Sequence, residues 1–292
     1  MPPIWDAAFR PRFYERWGRE NAVISARTRR AEYGEYRQLL SVKAAWGGAE
    51  AYFVDGQRIA VDDDTFLILN AGRRYASAVE SCAPVHSFSI FFRPGLMEDV
   101  RRGVVLPTEE LLDSPEDTHA QPIEFAEHLR EHDRLVTPVL RHIQRAVDGG
   151  TTDDLWVEEQ LHFLAQRLLR VHMQEIERRI GGPPHRPAVR KELERRLGLA
   201  VNFMNTHYQA SIGLDDIAGA ARLSPHHFLR AFKAAHGLTP SSYLNRKRTR
   251  AALRLMQDSS WSLTRIAYHV GFGSRTTLYR QLRAAAPTPG GP

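Results

Sequence analysis

Four residues in one short stretch, His226, Leu229, Arg230 and Lys233, recur at helical intervals and would share one face of a helix. Further on, Arg275, Thr276, Tyr279 and Arg280, with Arg283 beyond them, mark the outward side of a second helix. Neither set joins a nucleophile to a base. What these residue types offer is hydrogen bonding and positive charge. An arginine can donate two parallel bonds to guanine O6 and N7, worth about 1–3 kcal/mol of discrimination between bases. A lysine neutralises a phosphate, and a leucine can only touch an apolar group such as a thymine methyl.

Other chemistry has thinner support. His128 and His132 have the spacing of helical metal ligands, but Glu127 and Glu131 beside them read as a solvated face. A metal-dependent enzyme built on a β-barrel needs a His-x-His pair with a carboxylate and a further histidine, and between Asn21 and Arg93 there is a single histidine, His86. Cys82 is the one cysteine, which excludes a disulfide framework and a cysteine-rich zinc module and suits a reducing compartment. The expectation is no metal, no cofactor and no catalytic residue.

The elements that would present the two faces are repeats of each other. Leu214–Lys233 and Leu263–Arg283 align on Ile217-Ala218 and Ile266-Ala267, and each reads as a short helix, a tight turn and a second helix. Ile217, Ala218, Leu223, Phe228 and Phe232 form the inward stripe of the first unit, and Ile266, Ala267, Val270, Phe272, Leu278 and Leu282 that of the second. Ser224 and Ser274 are placed to cap the second helices. Gly271 stands in one turn, where a left-handed backbone is easiest for glycine, and Arg222 stands in the other. A helix opening after Thr239-Pro240 joins the units. At about 17 residues it would span about 26 Å, a rod able to set both faces along one duplex, whose major grooves recur about every 34–36 Å.

Charge points the same way. The net +6 hides about 17 Lys+Arg against about 5 Asp+Glu in residues 186–292, while the rest of the chain is acidic. A basic excess confined to the repeat attracts phosphates. No apolar run approaches the roughly 18 residues of a membrane span, and the N-terminus does not read as a signal peptide, so the cytoplasm is expected and no membrane.

Upstream of the repeat the signals are β. Residues 1–20 read as an arm with Trp5, Phe9, Phe13, Tyr14 and Trp17. Asp55-Gly56 predicts a hairpin between Tyr52-Phe53-Val54 and Arg58–Val61, and Thr65–Leu69 and Val85–Phe92 read as further strands. Many short strands predict a small barrel or a double-sheet jelly roll. Trp46, Tyr52, Phe66, Tyr75, His86 and Phe88 are candidates to line an effector pocket inside it, the alternative being a closed core. Residues 94–121 read as loop, Ile123–Val147 and Asp154–Ile180 as helices for internal packing or dimerisation, Gly181–Pro187 as a linker, and Val189–Tyr208 as a further helix.

The C-terminal stretch resembles the AraC/XylS-type transcription regulators. The resemblance rests on Leu223-Ser-Pro-His-His-Phe-Leu-Arg230-Ala-Phe-Lys233, Gly237-Leu-Thr-Pro240-Ser-Ser-Tyr243-Leu244, Arg248-Thr-Arg-Ala-Ala252 and Ile266-Ala-Tyr-His-Val-Gly-Phe-Gly-Ser274, and covers about residues 188–283. It implies a bipartite DNA-binding domain with His226, Leu229, Arg230, Lys233, Arg275, Thr276, Tyr279 and Arg280 toward DNA. Asp62–Asn70 is similar to the cupin-type domain many members carry. The expected fold is therefore α+β and multidomain: a cupin-like barrel or jelly roll over 1–122, helices over 123–180, a linker at 181–187, and an all-α double helix-turn-helix domain over 188–292. The resemblance further implies promoter DNA and RNA polymerase as partners, a homodimer, activation of transcription, and control by a small-molecule effector, the alternative being a barrel that only dimerises. The tail from Ala284 lacks the family's usual final helix motif.

Overall fold

The computed structural model describes residues 17–105, 122–150, 152–180 and 187–285. The expected arm residues Trp5, Phe9, Phe13 and Tyr14, most of the linker and the tail after residue 285 lie outside them. The chain divides into two compact units, Met1–Gly182 and Pro183–Pro292.

Among the described residues, the first unit has seven strands: β1 (Ala22–Arg37), β2 (Ser41–Trp46), β3 (Ala49–Val54), β4 (Gln57–Asp62), β5 (Thr65–Leu69), β6 (Arg74–Phe91) and β7 (Leu129–Glu131). They form one antiparallel, barrel-like sheet in the order β4-β3-β6-β2-β5-β7, with β1 also paired to β6. The long β6 organises it. Its first half pairs with β3 (Ala51 opposite Ala78) and its second half with β2 (Ala44 opposite Phe88). The predicted Asp55-Gly56 hairpin is present. Both residues have positive φ, 51° and 74°, the pattern of the two-residue turn that matches strand twist.

Among the described residues, three helices follow or interrupt the strands: α1 (Leu96–Val105), α2 (Thr137–Asp148) and α3 (Asp154–Ile180). Their apolar residues, including Leu96, Val100, Leu140, Ile143, Leu161, Leu164 and Leu168, pack on the sheet face that carries Val42, Ala44, Trp46, Phe66, Phe88 and Ile90. Strand side chains alternate between faces, so this one contact buries every second residue of β2 and of the end of β6.

Two expectations are corrected. Residues 94–121 are not wholly loop, because α1 occupies Leu96–Val105 and buries Leu96 and Met97. The prolines around it masked a single amphipathic stretch. Ile123–Val147 is not one helix either. Leu129–Glu131 adds an edge strand to β5, with Leu67 opposite Leu129, and α2 begins only at Thr137. The Asp133 carboxylate accepts from the amides of Leu135 (2.8 Å) and Val136 (2.6 Å), which turns the chain, and Pro138 fits only a first helical turn. His128 and His132 therefore flank a strand and do not share a helix.

The described residues of the second unit form helices only: α4 (Pro187–His207), α5 (Leu214–Ala220), α6 (Pro225–His236), α7 (Pro240–Asp258), α8 (Leu263–His269) and α9 (Arg275–Ala285). Thr239 caps α7 by accepting from the Ser242 amide, and Pro240 supplies its first turn. At 19 residues α7 is about 28 Å long.

Candidate nucleic-acid interface

Each helix-turn-helix unit is closed by the same backbone pattern. In the first, the Leu223 amide donates to Ala218 O at 3.1 Å; in the second, the Phe272 amide donates to Ala267 O at 2.8 Å. Both closures need one left-handed residue just before the donor, supplied by Arg222 (φ 52°) and Gly271 (φ 87°). Ala218 and Ala267 are fully buried, as their small size allows where two helices cross.

With α5 and α8 so placed, α6 and α9 each bury one stripe. Phe228 and Phe232 on α6 and Leu278 on α9 are buried, and Leu282 is half-buried. The opposite stripes match position by position: His226 with Thr276, Leu229 with Tyr279, Arg230 with Arg280, and Lys233 with Arg283, each pair equally far into its helix. All of these are exposed, as is Arg275. Leu229 and Tyr279, at 37% and 55% exposure, are large apolar or aromatic side chains left in solvent within basic faces. The eight residues expected from sequence thus fall on two solvent faces of matching construction.

The caps differ. Ser274 Oγ accepts from the Thr277 amide at 3.2 Å. Ser224 occupies the equivalent place with extended backbone but makes no side-chain cap bond, contrary to expectation. Pro225 follows it and offers no amide, so α6 starts with fewer donors to satisfy.

Sequence reasoning missed Tyr208, Gln209 and Arg248. Arg248 on α7 donates from Nε to Tyr208 O (2.7 Å) and from Nη2 to Ala210 O (2.8 Å), bracing the segment between α4 and α5. Arg248 carried a signal only as part of the Arg248–Ala252 motif, with no pattern to show what it touches.

In the first unit, the six expected pocket residues do not meet in one place. Trp46, Phe66 and Phe88 lie in the core shared with the helices. Trp46 packs against Phe88 and His86, with ring centres 5.5 and 5.8 Å away, under the Arg141 guanidinium. His86 Nε2 lies 2.7 Å from Ser25 Oγ and 3.4 Å from Asp148 Oδ2, and Ser25 itself donates to Asp148 Oδ1 at 2.6 Å. Serine and carboxylate crowd the same ring nitrogen, so this is not a relay that could activate a nucleophile. Burial pushes the His86 pKa down, against the opposing charge of Asp148.

Tyr52 and Tyr75 are instead with Lys43, one residue out of step along β2 from the Val42–Trp46 stripe and so on the other face of the strand. The Lys43 ammonium lies 3.7, 5.2 and 5.9 Å from the ring centres of Phe91, Tyr75 and Tyr52. Lys43 and Glu50 are each only 2% exposed. Burial lowers the Lys43 pKa to about 7, with Glu50 opposing. Glu50 accepts from Ser87 Oγ at 2.6 Å. An open groove of about 440 Å³ runs past the hairpin tip at Phe53, Asp55, Arg73 and Arg74, and none of the six lines it. Among the described residues, no three His, Cys, Asp or Glu side chains group so as to hold a metal ion. No described helix is long and apolar enough to cross a membrane.

A helix-turn-helix domain family matches residues 217–288. The HTH-type transcriptional activator RhaS of Escherichia coli O157:H7 (strain EC4115) is 37% identical over 89 residues, 30% of this chain and 32% of that protein. The regulatory protein PocR of Salmonella typhimurium (strain LT2) is 28% identical over 110 residues, 37% of this chain and 34% of that protein. The chain thus aligns with about a third of the length of these curated relatives. An AraC-type transcriptional regulator of Chromobacterium violaceum, known by crystal structure, is 30% identical across 30% of this chain and 80% of its own, with a TM-score of 0.29. The matched region is the one with the paired turns and matching outward faces, and the C-terminal part of this chain carries a helix-turn-helix domain similar to those of these regulators.

Proposed function

We propose that the protein is a sequence-specific DNA-binding regulator of transcription, reading duplex DNA with α6 and α9. The observation that carries this is the pairing of exposed residues at equal positions of the two helices: Arg230 with Arg280, Lys233 with Arg283, and Leu229 with Tyr279. The second helices of both units present such faces, and both sit in the basic part of the chain. Arg230 and Arg280 are the residues for guanine contacts, Lys233, Arg275 and Arg283 for phosphate or base contacts, and His226, Thr276, Leu229 and Tyr279 for neighbouring base edges and thymine methyls. The family of the domain supports this reading, and the names of RhaS and PocR, an activator and a regulatory protein, agree with it. Selection of bound sequences from a randomised duplex pool by the full chain tests it. Enrichment of a defined site supports the reading, and recovery of unenriched DNA contradicts it.

The first unit is read as the sensor and dimerisation part of a cytoplasmic homodimer that activates transcription through RNA polymerase. The buried Lys43, among Tyr52, Tyr75 and Phe91, and the buried Glu50 support a polar interior on that side of the sheet, where a small effector would enter. A second reading, a barrel that serves only to dimerise, is favoured by the close packing of Trp46, Phe66 and Phe88 against the helices. A thermal-shift screen of small metabolites on the full chain separates the two: a saturable rise in melting temperature favours the sensor.

A further inference from the structure

We infer that Tyr208, Arg248 and Gly271 form a clasp that fixes the distance between the two DNA subsites read by α6 and α9. Arg248 is then a positioning residue for specificity and touches no base. The inference rests on the DNA-reading function proposed above and deepens it.

The clasp has three parts, each visible in different atoms. Helix α4 ends at His207, and the next carbonyls have no continuing helix to bond. The Arg248 guanidinium takes two of them, Tyr208 O and Ala210 O, with two separate N–H groups. Its head group also lies 6.0 Å from the Phe272 ring, in the turn of the second unit. One side chain on the connecting helix thus touches the lead-in of the first unit and the turn of the second.

The second part is backbone. A Cβ on Gly271 would stand 2.6 Å from Tyr208 O and 2.9 Å from both Gln209 O and Arg248 Nε. The turn of the second unit rests directly on the 208–209 backbone, closer than any other residue type would allow. The third part is the Tyr208 ring. It comes from the first unit's lead-in yet packs against the second unit's core of Ala251, Ala252, Ile266, Ala267, Val270, Phe272 and Leu278. Lys247 Nζ lies 5.5 Å from the centre of the same ring.

Helix α7 packs Tyr243 against Phe232 of the first unit and Ala251 and Ala252 into the core of the second. The clasp adds three contacts at one point between these packings, which removes the remaining freedom of the recognition helices to swing and accept several spacings. The base pairs read by α6 and by α9 must then be a set number of steps apart.

The test uses the full chain and a randomised duplex pool, with wild type, Arg248→Ala, Arg248→Lys and Gly271→Ala, each checked for a cooperative melt. Wild type is expected to enrich two subsites at a single spacing and to lose about tenfold or more in affinity when one base pair is inserted between them. Arg248→Ala and Gly271→Ala are expected to keep the base preference of each subsite but to bind the original and lengthened sites within about threefold of each other. Arg248→Lys, which can keep one bond of the two, falls between, and it carries the test if either other variant fails to melt cooperatively. A folded variant that retains the single wild-type spacing overturns the clasp, as does a wild type that selects subsites at varied spacing. A wild type that enriches no sequence removes the DNA-reading function itself, a result distinct from both.

Discussion

Arg222 and Gly271 hold the same place in the two helix-turn-helix units, and both have left-handed backbone, at φ 52° and 87°. The Arg222 amide donates to Gly219 O and the Gly271 amide to Tyr268 O, so one turn geometry is made by two very different residues. A side chain in this region costs about 1 kcal/mol or more relative to glycine. The first turn tolerates that cost because Arg222 is not fully buried, whereas the Gly271 backbone lies against the Tyr208 carbonyl.

The two turns should therefore respond in opposite directions. Arg222→Gly is expected to raise unfolding free energy by up to about 1 kcal/mol, since it relieves the left-handed strain. Gly271→Ala is expected to lower it by about 2 kcal/mol or more, from the backbone conformation and the carbonyl contact together. Urea denaturation of the full chain, following the transition of the C-terminal unit, checks both signs.

His132 gives the first unit a pH dependence. Burial, then the positive charge of Arg141, lowers its pKa from 6.5 to about 4, although Asp64, Asp62 and Asp133 pull the other way. The unfolded chain takes up a proton near pH 6.5 and the folded chain only near pH 4, so stability contributed at neutral pH is lost as pH falls through that window. The loss approaches about 3 kcal/mol at its end. His132→Gln should flatten the stability profile between pH 6.5 and 4 relative to wild type. Parallel profiles would contradict the assignment.

Lys43 and Glu50 are expected to be worth more as a pair than either is alone. Lys43→Met leaves the Glu50 carboxylate buried with Ser87 but removes the nearby opposing charge, and is expected to lower stability by about 1–3 kcal/mol. The double variant Lys43→Met with Glu50→Gln should recover most of that loss, because the amide oxygen of the substituted side chain can still accept the Ser87 bond. A double-mutant cycle by chemical denaturation measures the coupling, and additive losses would contradict it.

Lys233 and Arg230 should separate phosphate contacts from base contacts. Lys233→Ala is expected to weaken binding equally across DNA sequences and to reduce the salt slope of affinity by about 1. Arg230→Ala should instead relax preference at one subsite. Titrations at several salt concentrations, on a selected site and on a random duplex, tell the two apart.

Much of the second unit could be read from the sequence because its information is local. Ile217-Ala218 and Ile266-Ala267 repeat, and the buried Phe228 and Phe232 recur at helical spacing. The outward face follows once the inward one is known. The clasp was hidden because Arg248 meets Tyr208 forty positions away in the chain, and no periodicity encodes that. In the first unit the Asp55-Gly56 hairpin was legible from its turn residues. The strand at Leu129–Glu131 was not, since three residues show no alternation and its identity comes from pairing with β5. The candidate pocket residues were chosen by type. Their division between strand faces, Trp46 on one side of β2 and the Lys43 cluster with Tyr52 and Tyr75 on the other, depends on registers that composition does not carry.

Reading of duplex DNA by α6 and α9 is tested most directly by selecting binding sites from a randomised duplex pool with wild type, Arg230→Ala and Arg280→Ala. Wild type is expected to enrich a site with two subsites. Arg230→Ala should lose preference at one or two base positions in one of them, and Arg280→Ala at one or two positions in the other, each with about 1–3 kcal/mol less discrimination. Unchanged base preference in both folded variants would contradict it.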